Sequence, residues 1–220
     1  MLLSMNVIEL FSSIDGEGKR QGFLTTFLRL HDCNIRCSYC DTLYSYGPES
    51  TFESMSVQAV ADVIEQLENH RITVTGGEPL LQEPAIIELI DELTRRNARY
   101  DFNIETNGTI IPSFHRDNVW FTYDYKTPSS LAEDAMNLDI FKVATPADII
   151  KFVVGSMQDL DRMNEILKTY PTEAQIFVSP VWGNIEGAAI VDYMKAYNWQ
   201  NVRFQLQIHK FIWDPDAKGV

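Results

Sequence analysis

Short apolar runs alternate with amphipathic runs along most of this chain. TTFLRL (25–30), RITVT (71–75), DFNIET (101–106), VWFTYD (119–124), ADIIKFVV (147–154), AQIFVSP (174–180) and VRFQLQI (202–208) predict strands. Between them, SVQAVADVIEQLEN (56–69) sets Val57, Val60, Ala61, Ile64 and Leu67 at helical spacing, with Ser56 placed to cap the first turn. EPAIIELIDELTRRN (83–97) does the same with Ile86, Ile87, Leu89, Ile90 and Leu93. SMQDLDRMNEILKTY (156–170) and EGAAIVDYMKAYN (186–198) predict two further helices, and SLAEDAM (130–136) a short one. NVIELFSSIDGEG (6–18) predicts an antiparallel edge strand followed by a turn.

Strand–helix alternation means βαβ crossovers and a parallel sheet, wound by right-handed connections into an open sheet or a barrel. About six or seven strands fall short of the eight that close a barrel. The expected fold is therefore α/β: a partial TIM-type barrel of parallel strands with outer helices, one domain spanning 1–220. The segments richest in polar and special residues all follow strands: the cysteine loop, GGEP, ETNG, DYK, SPVWG and QLQIHK. In parallel α/β folds the carboxyl ends of the strands share one face, where active sites lie.

Composition narrows the partners. The net charge is −13, and no Lys/Arg stripe offsets it. A phosphate backbone would be repelled, so no nucleic-acid partner is expected. No apolar run approaches the roughly 20 residues that span a bilayer. MLLSMNVIELF lacks the basic flank and cleavage site of a signal peptide. A cytoplasmic protein with no membrane partner is expected.

All three cysteines lie in one loop, HDCNIRCSYCDT (31–42), as Cys33, Cys37 and Cys40. An odd number in a reducing compartment points away from a disulfide framework. C-x3-C-x2-C can aim three thiolates at a common centre and leave a fourth position. His31 would fill that position in a structural zinc site. A four-iron, four-sulfur cluster with one open iron is the other reading, since thiolates select such clusters.

C-x3-C-x2-C after the first strand, with T-G-G-E-P (75–79) after the second, resembles the radical S-adenosylmethionine enzymes. The resemblance implies a [4Fe–4S] cluster on Cys33, Cys37 and Cys40, whose open iron is chelated by S-adenosylmethionine. One electron then releases a 5′-deoxyadenosyl radical. FSSIDGEGKRQG (11–22), Arg29, the C-D-T ending at Thr42, P-S-S after the fourth strand, and Gln207 and His209 before an I-W tail narrow the resemblance. They point to the branch of the family that contracts 6-carboxy-5,6,7,8-tetrahydropterin to a 7-deazaguanine acid, with loss of ammonia, towards queuosine and other 7-deazapurines.

The resemblance also implies roles. Tyr39 lies beside the adenine, and Gly76, Gly77 and Glu78 meet the methionine amino group, the glycines by letting backbone come close to the ligand. Asp124, Tyr125, Lys126 and Ser179 complete the S-adenosylmethionine contacts, although only Lys126 matches the family's S-P-K segment by type. Ile14, Asp15, Gly16, Glu17, Arg29, Thr75, Glu105 and His209 bind the pterin, with the planar fork of Arg29 suited to its carboxylate. Thr42 corresponds to a ligand for Mg²⁺, which prefers hard oxygens. Asp15 replaces the Gln of the family's Q-G-E-G; an amide donates and accepts, whereas an ionised carboxylate only accepts. A flavodoxin or ferredoxin as electron donor and a homodimer are further implications. Two alternatives stay open: an enzyme that activates a glycyl-radical partner, and a non-catalytic metal-binding module.

Overall fold

A computed structural model describes residues 3–220. The strands are β1 (Ser4–Ile14), β2 (Leu24–Leu30), β3 (Glu53–Ser56), β4 (Arg71–Gly76), β5 (Asp101–Thr106), β6 (Val119–Tyr125), β7 (Ile149–Val154), β8 (Gln175–Pro180) and β9 (Val202–Phe204). The helices are α1 (Val57–Gln66), α2 (Glu83–Arg96), α3 (Ile140–Val143), α4 (Met157–Thr169), α5 (Gly187–Ala196) and α6 (His209–Ile212). They build one nine-stranded sheet in the order β3-β1-β2-β4-β5-β6-β7-β8-β9. From β2 to β9 every neighbouring pair is parallel, while β1 runs antiparallel to both β2 and β3. The sheet does not close, because β3 and β9 are free edges.

The outer face carries the apolar core. Leu28 and Leu30, Ile72 and Val74, Phe102 and Ile104, Phe121 and Tyr123, and Phe152 and Val154 are buried under the helices. Their alternate neighbours point inward and are mostly polar: Arg29, Thr73 and Thr75, Asn103 and Glu105, Thr122 and Asp124, Lys151. All six residues of β7 are buried, as expected of a parallel strand covered on both faces. The Ser56 side chain accepts the Ala59 N–H at 3.2 Å, so the predicted cap forms. Ser156 caps α4 in the same way, from Asp159 N at 3.3 Å.

Four expectations change. β1 is not the edge; the short, polar β3 covers it, and its ESMS sequence lacks the apolar run that marks a strand. Such short, polar strands are a common way to blunt a sheet edge. SLAEDAM is not a helix but two 3₁₀ turns, Pro128–Ser130 and Glu133–Ala135. The Ser130 hydroxyl donates to Thr127 O at 2.6 Å and accepts from Ala132 N at 3.0 Å, and Leu131 turns left-handed at φ 58°. Local side-chain bonding of this kind competes with a helix. The last strand is only Val202–Phe204: Gln205 N makes a final bond to Val178 O of β8 at 3.0 Å, and its Oε1 accepts the Gly18 N–H of the β1–β2 connection at 2.8 Å. Finally, the turn after β1 is a plug, not a simple turn.

That plug, residues 15–23, folds against the inner face of the sheet. Arg20, 6% exposed, donates to Ile72 O at 3.1 Å, pairs with Asp101 at 3.0 Å and stacks 4.2 Å over Trp120. Burial lowers its pKa, so Asp101 is needed to keep its charge favourable. On its other side the plug holds the chain after β9: Ile208 N donates to Gly16 O at 3.1 Å and Gln21 Nε2 to Leu206 O at 2.6 Å. The gap between the sheet edges is thus crossed by loop contacts instead of strand pairing. Among the described residues no helix is long and apolar enough to cross a membrane. Arg20→Ala removes the plug's anchor and leaves Asp101 and the Ile72 carbonyl short of a partner. It is expected to lower stability by about 2–4 kcal/mol, read as a urea midpoint; a change below about 0.5 kcal/mol would mean the plug is held elsewhere.

Candidate active site

A cavity of about 260 Å³ opens at the carboxyl ends of the strands, roofed by the cysteine loop and floored by the plug. Most residues named from the sequence line it: Ile14, Asp15, Gly16, Glu17, Arg29, Cys33, Cys37, Tyr39, Cys40, Thr42, Thr75, Gly76, Gly77, Glu105, Asp124, Lys126 and His209.

The cysteine loop hangs from the end of β2. Asp32 sits at φ 79°, and its carboxylate accepts the Cys33 N–H at 2.7 Å, which starts the turn. Asp32 also bonds through its backbone to Ser45 and Glu78, at 2.9 and 2.8 Å. The three thiols are free and partly exposed. Burial pushes the Cys33 and Cys37 thiols up, Cys37 to about 11, so they ionise only against a strong cation. Among the described residues no set of three His, Cys, Asp or Glu side chains is arranged to hold a single metal ion. His31 does not join the cysteines: it packs on Phe52 with ring centroids 4.3 Å apart, outside the cavity. Three thiols around one mouth, without a fourth protein ligand, fit a multi-iron cluster with an open corner better than tetrahedral zinc.

The two glycines of GGEP line the cavity, and the fold gives a steric reason for them besides any approach of a ligand. A Cβ on Gly76 would lie 2.2 Å from Leu30 O, and one on Gly77 2.0 Å from Asp32 O and 2.8 Å from the Cys33 Cβ. The close approach is to the cysteine loop itself, so these glycines set how the thiols are presented. Glu78 is not in the cavity. It is fully buried, and its carboxylate accepts from Leu80 N (2.9 Å), Thr106 Oγ1 (2.8 Å) and Asn107 N (2.7 Å), tying the GGEP turn to the end of β5. Tyr125 is also outside: odd and even positions of β6 face opposite ways, so Tyr125 packs on Phe152 at 4.9 Å and donates to Glu133 at 2.8 Å. Ser179 is fully buried and does not line the cavity.

The floor holds a charge network. Lys151 Nζ lies 2.8 Å from Glu17 Oε2 and 3.6 Å from Asp124 Oδ2, and Lys126 lies 3.1 Å from Asp124. Burial opposes the Lys151 charge, but Glu17, Asp124 and Glu105 hold its pKa well above the ordinary lysine value. Burial would likewise raise the Asp124 carboxyl, yet Lys126 and Lys151 outweigh it and keep it low. Sequence reasoning passed over Lys151, although a signal was present: a single charge inside IIKFVV.

Glu105 accepts from Thr75 Oγ1 at 3.3 Å and is raised by burial, with Lys151 opposing. Asp15, 3% exposed, accepts from Thr73 Oγ1 at 3.3 Å. Burial, then the charge of Glu105, pushes its carboxyl up to about 7. Arg29 uses its Nε on Glu9 at 3.0 Å, and its terminal nitrogens make no other hydrogen bond among the described residues. The His209 ring lies against Gly16, where a Cβ would stand 1.9 Å from Nδ1, and burial lowers its pKa, favouring neutral imidazole. The Tyr39 hydroxyl donates to Val153 O at 3.3 Å across the cavity. Thr42 Oγ1 has only a weak contact, 3.7 Å from Cys40 Sγ.

Comparison with known proteins follows the same lines. The Radical SAM superfamily profile matches residues 29–153, from Arg29 on β2 to Val153 on β7. A 7-carboxy-7-deazaguanine synthase of Clostridium acetobutylicum is 37% identical, covering 99% of this chain and all of the relative. Another, of Methanospirillum hungatei, is 36% identical over 94% of this chain and 85% of its own. The crystal structure of QueE from Escherichia coli shares the fold, with TM-score 0.70 over 92% of this chain and 93% of that one at 21% identity.

The raised Asp15 carboxyl gives a pH signature. Its folded value, about 7, exceeds the ordinary 3.8. The protonated acid therefore supports the fold at low pH, and that support is lost as pH rises through 7. Asp15→Asn cannot ionise. It is expected to gain on wild type between about pH 4 and pH 8, by roughly 2–4 kcal/mol, in urea melts of the cluster-free protein. A difference independent of pH would contradict this.

Proposed function

We propose how this pocket works from one premise: the chain belongs to the Radical SAM superfamily and, within it, to the 7-carboxy-7-deazaguanine synthases. It is a lyase of queuosine and 7-deazapurine biosynthesis that converts 6-carboxy-5,6,7,8-tetrahydropterin to 7-carboxy-7-deazaguanine with loss of ammonia. A [4Fe–4S] cluster and S-adenosylmethionine go with the family, and together they supply the one-electron chemistry that takes a hydrogen atom from the substrate. The observation that carries the assignment of residues is convergence: cysteine loop, glycine turn and plug, far apart in sequence, line one cavity.

Cys33, Cys37 and Cys40 hold the cluster at the mouth. Gly76 and Gly77 keep the loop that bears them in place, and their backbone would be open to the methionine end of the cofactor. Tyr39 would hold the adenine, with Asp124 and Lys126 lining the same cavity.

On the pterin half, Glu17 Oε1 is buried and has no partner among the described residues, while Oε2 is held by Lys151. Glu17 lines the cavity, and its carboxylate is an acceptor suited to the donor-rich, guanidine-like edge of a pterin. Asp15 lies next to it. With a value near 7 its carboxyl keeps a proton much of the time, so it can donate as well as accept. This restores what the family's glutamine offers, and the departure at Asp15 is compatible with the same substrate. The free nitrogens of Arg29 meet the substrate carboxylate. Glu105, Thr75, Ile14, Gly16 and His209 complete this half. Buried hydrogen-bonding groups of this sort reject analogues strongly, because a mismatched partner stays unpaired.

Thr42, whose hydroxyl makes no strong bond in the fold, is available to a Mg²⁺ shared with the substrate carboxylate. The ion would offset carboxylate charge and fix the substrate's orientation. Exposed residues Asp32, Asn34, Arg36 and Ser38 alternate with the cysteine positions, which leaves a cluster edge within reach of a flavodoxin or ferredoxin. A single domain over 1–220 and a homodimer belong to the same reading; exposed Trp182, Phe211 and Ile212 offer apolar surface for a second copy.

The test is an anaerobic assay with reconstituted protein, reductant, S-adenosylmethionine, Mg²⁺ and the carboxytetrahydropterin. The deazaguanine acid is expected by mass. Release of 5′-deoxyadenosine without it would keep the radical chemistry and discard the substrate. Thr42→Ala is expected to raise the Mg²⁺ needed for half-maximal rate by about tenfold, equivalent to the loss of one weak ligand; an unchanged Mg²⁺ response would remove Thr42 from that site.

A further inference from the structure

We propose that Lys151 is a positioning residue that ties the pterin half of the pocket to the S-adenosylmethionine half, and that the two halves depend on it unequally. The proposal rests on the division of the pocket given above. One ammonium, buried on the inner face of β7, reaches two carboxylates from different elements, Glu17 of the plug at 2.8 Å and Asp124 of β6 at 3.6 Å. Each carboxylate turns one oxygen to the lysine. The other oxygens, Glu17 Oε1 and Asp124 Oδ1, are buried without a partner among the described residues. Both residues also line the cavity. Lys151 therefore holds one carboxylate of each half in place.

The asymmetry follows from the remaining cations. Asp124 keeps Lys126 at 3.1 Å if Lys151 is removed. Among the described residues Glu17 has no ion pair other than the one with Lys151, and its remaining neighbours, Glu105 and the ring of neutral His209, do not replace it. Without the lysine, Glu17 becomes a buried carboxylate with no cation, which protonates or turns away. Pterin recognition then fails while S-adenosylmethionine recognition largely survives.

The experiment compares wild type, Lys151→Met and Lys151→Arg as cluster-loaded, anaerobic proteins with the cluster left oxidised. Equilibrium dialysis measures S-adenosylmethionine, and then the carboxytetrahydropterin with S-adenosylmethionine present. K151M is expected to weaken the pterin by about tenfold to a hundredfold, the range for a lost charged hydrogen bond, and S-adenosylmethionine by less than about threefold. K151R, which keeps the charge, recovers most of the pterin loss. E17Q/K151M binds the pterin no worse than Glu17→Gln alone, because the lysine acts through Glu17. Equal loss of both ligands, unchanged pterin affinity in K151M, or additive losses in the double variant would overturn the proposal. If K151M does not fold, Lys151→Gln carries the test: a loss confined to the pterin supports the proposal, and an equal loss of both ligands or an unchanged pterin affinity overturns it. Wild-type protein that binds S-adenosylmethionine but not the pterin would instead overturn the substrate reading, and this proposal with it.

Discussion

A parallel sheet with two free edges has to be sealed by something other than strand pairing, and here the seal comes from inside. The β1–β2 connection turns into the sheet and anchors through Arg20 to Asp101, Ile72 and Trp120. It then catches the chain leaving β9 through Gly16, Gly18 and Gln21. A closed eight-stranded barrel fills its interior with packed side chains. An open one leaves room, and the plug decides how much. The same residues that seal the gap, Asp15, Gly16 and Glu17, become the floor of the cavity.

Sealing with polar chain brings charge into the interior, and the charge is balanced locally. Lys151 and Lys126 face Glu17 and Asp124, while Arg29 faces Glu9. Asp15 has no such close cation, and its carboxyl rises to about 7. The contrast shows environment dividing carboxylates between roles: Asp124, held low by two lysines, is an acceptor, while Asp15 can also be a donor near neutral pH. The two sides of the cavity thus carry chemically similar groups in different protonation states.

At the mouth the controlling contact is steric. The GGEP turn presses so closely on the chain around Leu30, Asp32 and Cys33 that no side chain fits at Gly76 or Gly77. Glu78 then fastens that turn to Thr106 and Asn107. The Asn107 amide in turn reaches Asn34 at 2.9 Å and lies 3.8 Å from Cys33 Sγ. The geometry of the thiols is therefore inherited from three strand ends at once, which is how a flexible-looking surface loop can present ligands in a fixed array.

The sequence by itself determined the strands and helices of the βαβ units, since their periodicity and serine caps are local properties. It also determined the cysteine loop, because spacing within one loop needs no tertiary knowledge; spacing alone left zinc and cluster both open, and the cofactor chemistry came with the resemblance of the cysteine loop and T-G-G-E-P to a known family. Tertiary structure decided the rest. Whether Glu78 or Tyr125 faces the pocket depends on strand parity and on partners about 30 residues away or on another strand. β3 became a strand because β1 offered it an edge, not because ESMS favours one. The importance of Lys151 and the donor capacity of Asp15 exist only once burial and distant charges act on them. Those forces depend on separation in space, which the order of residues along a chain does not contain.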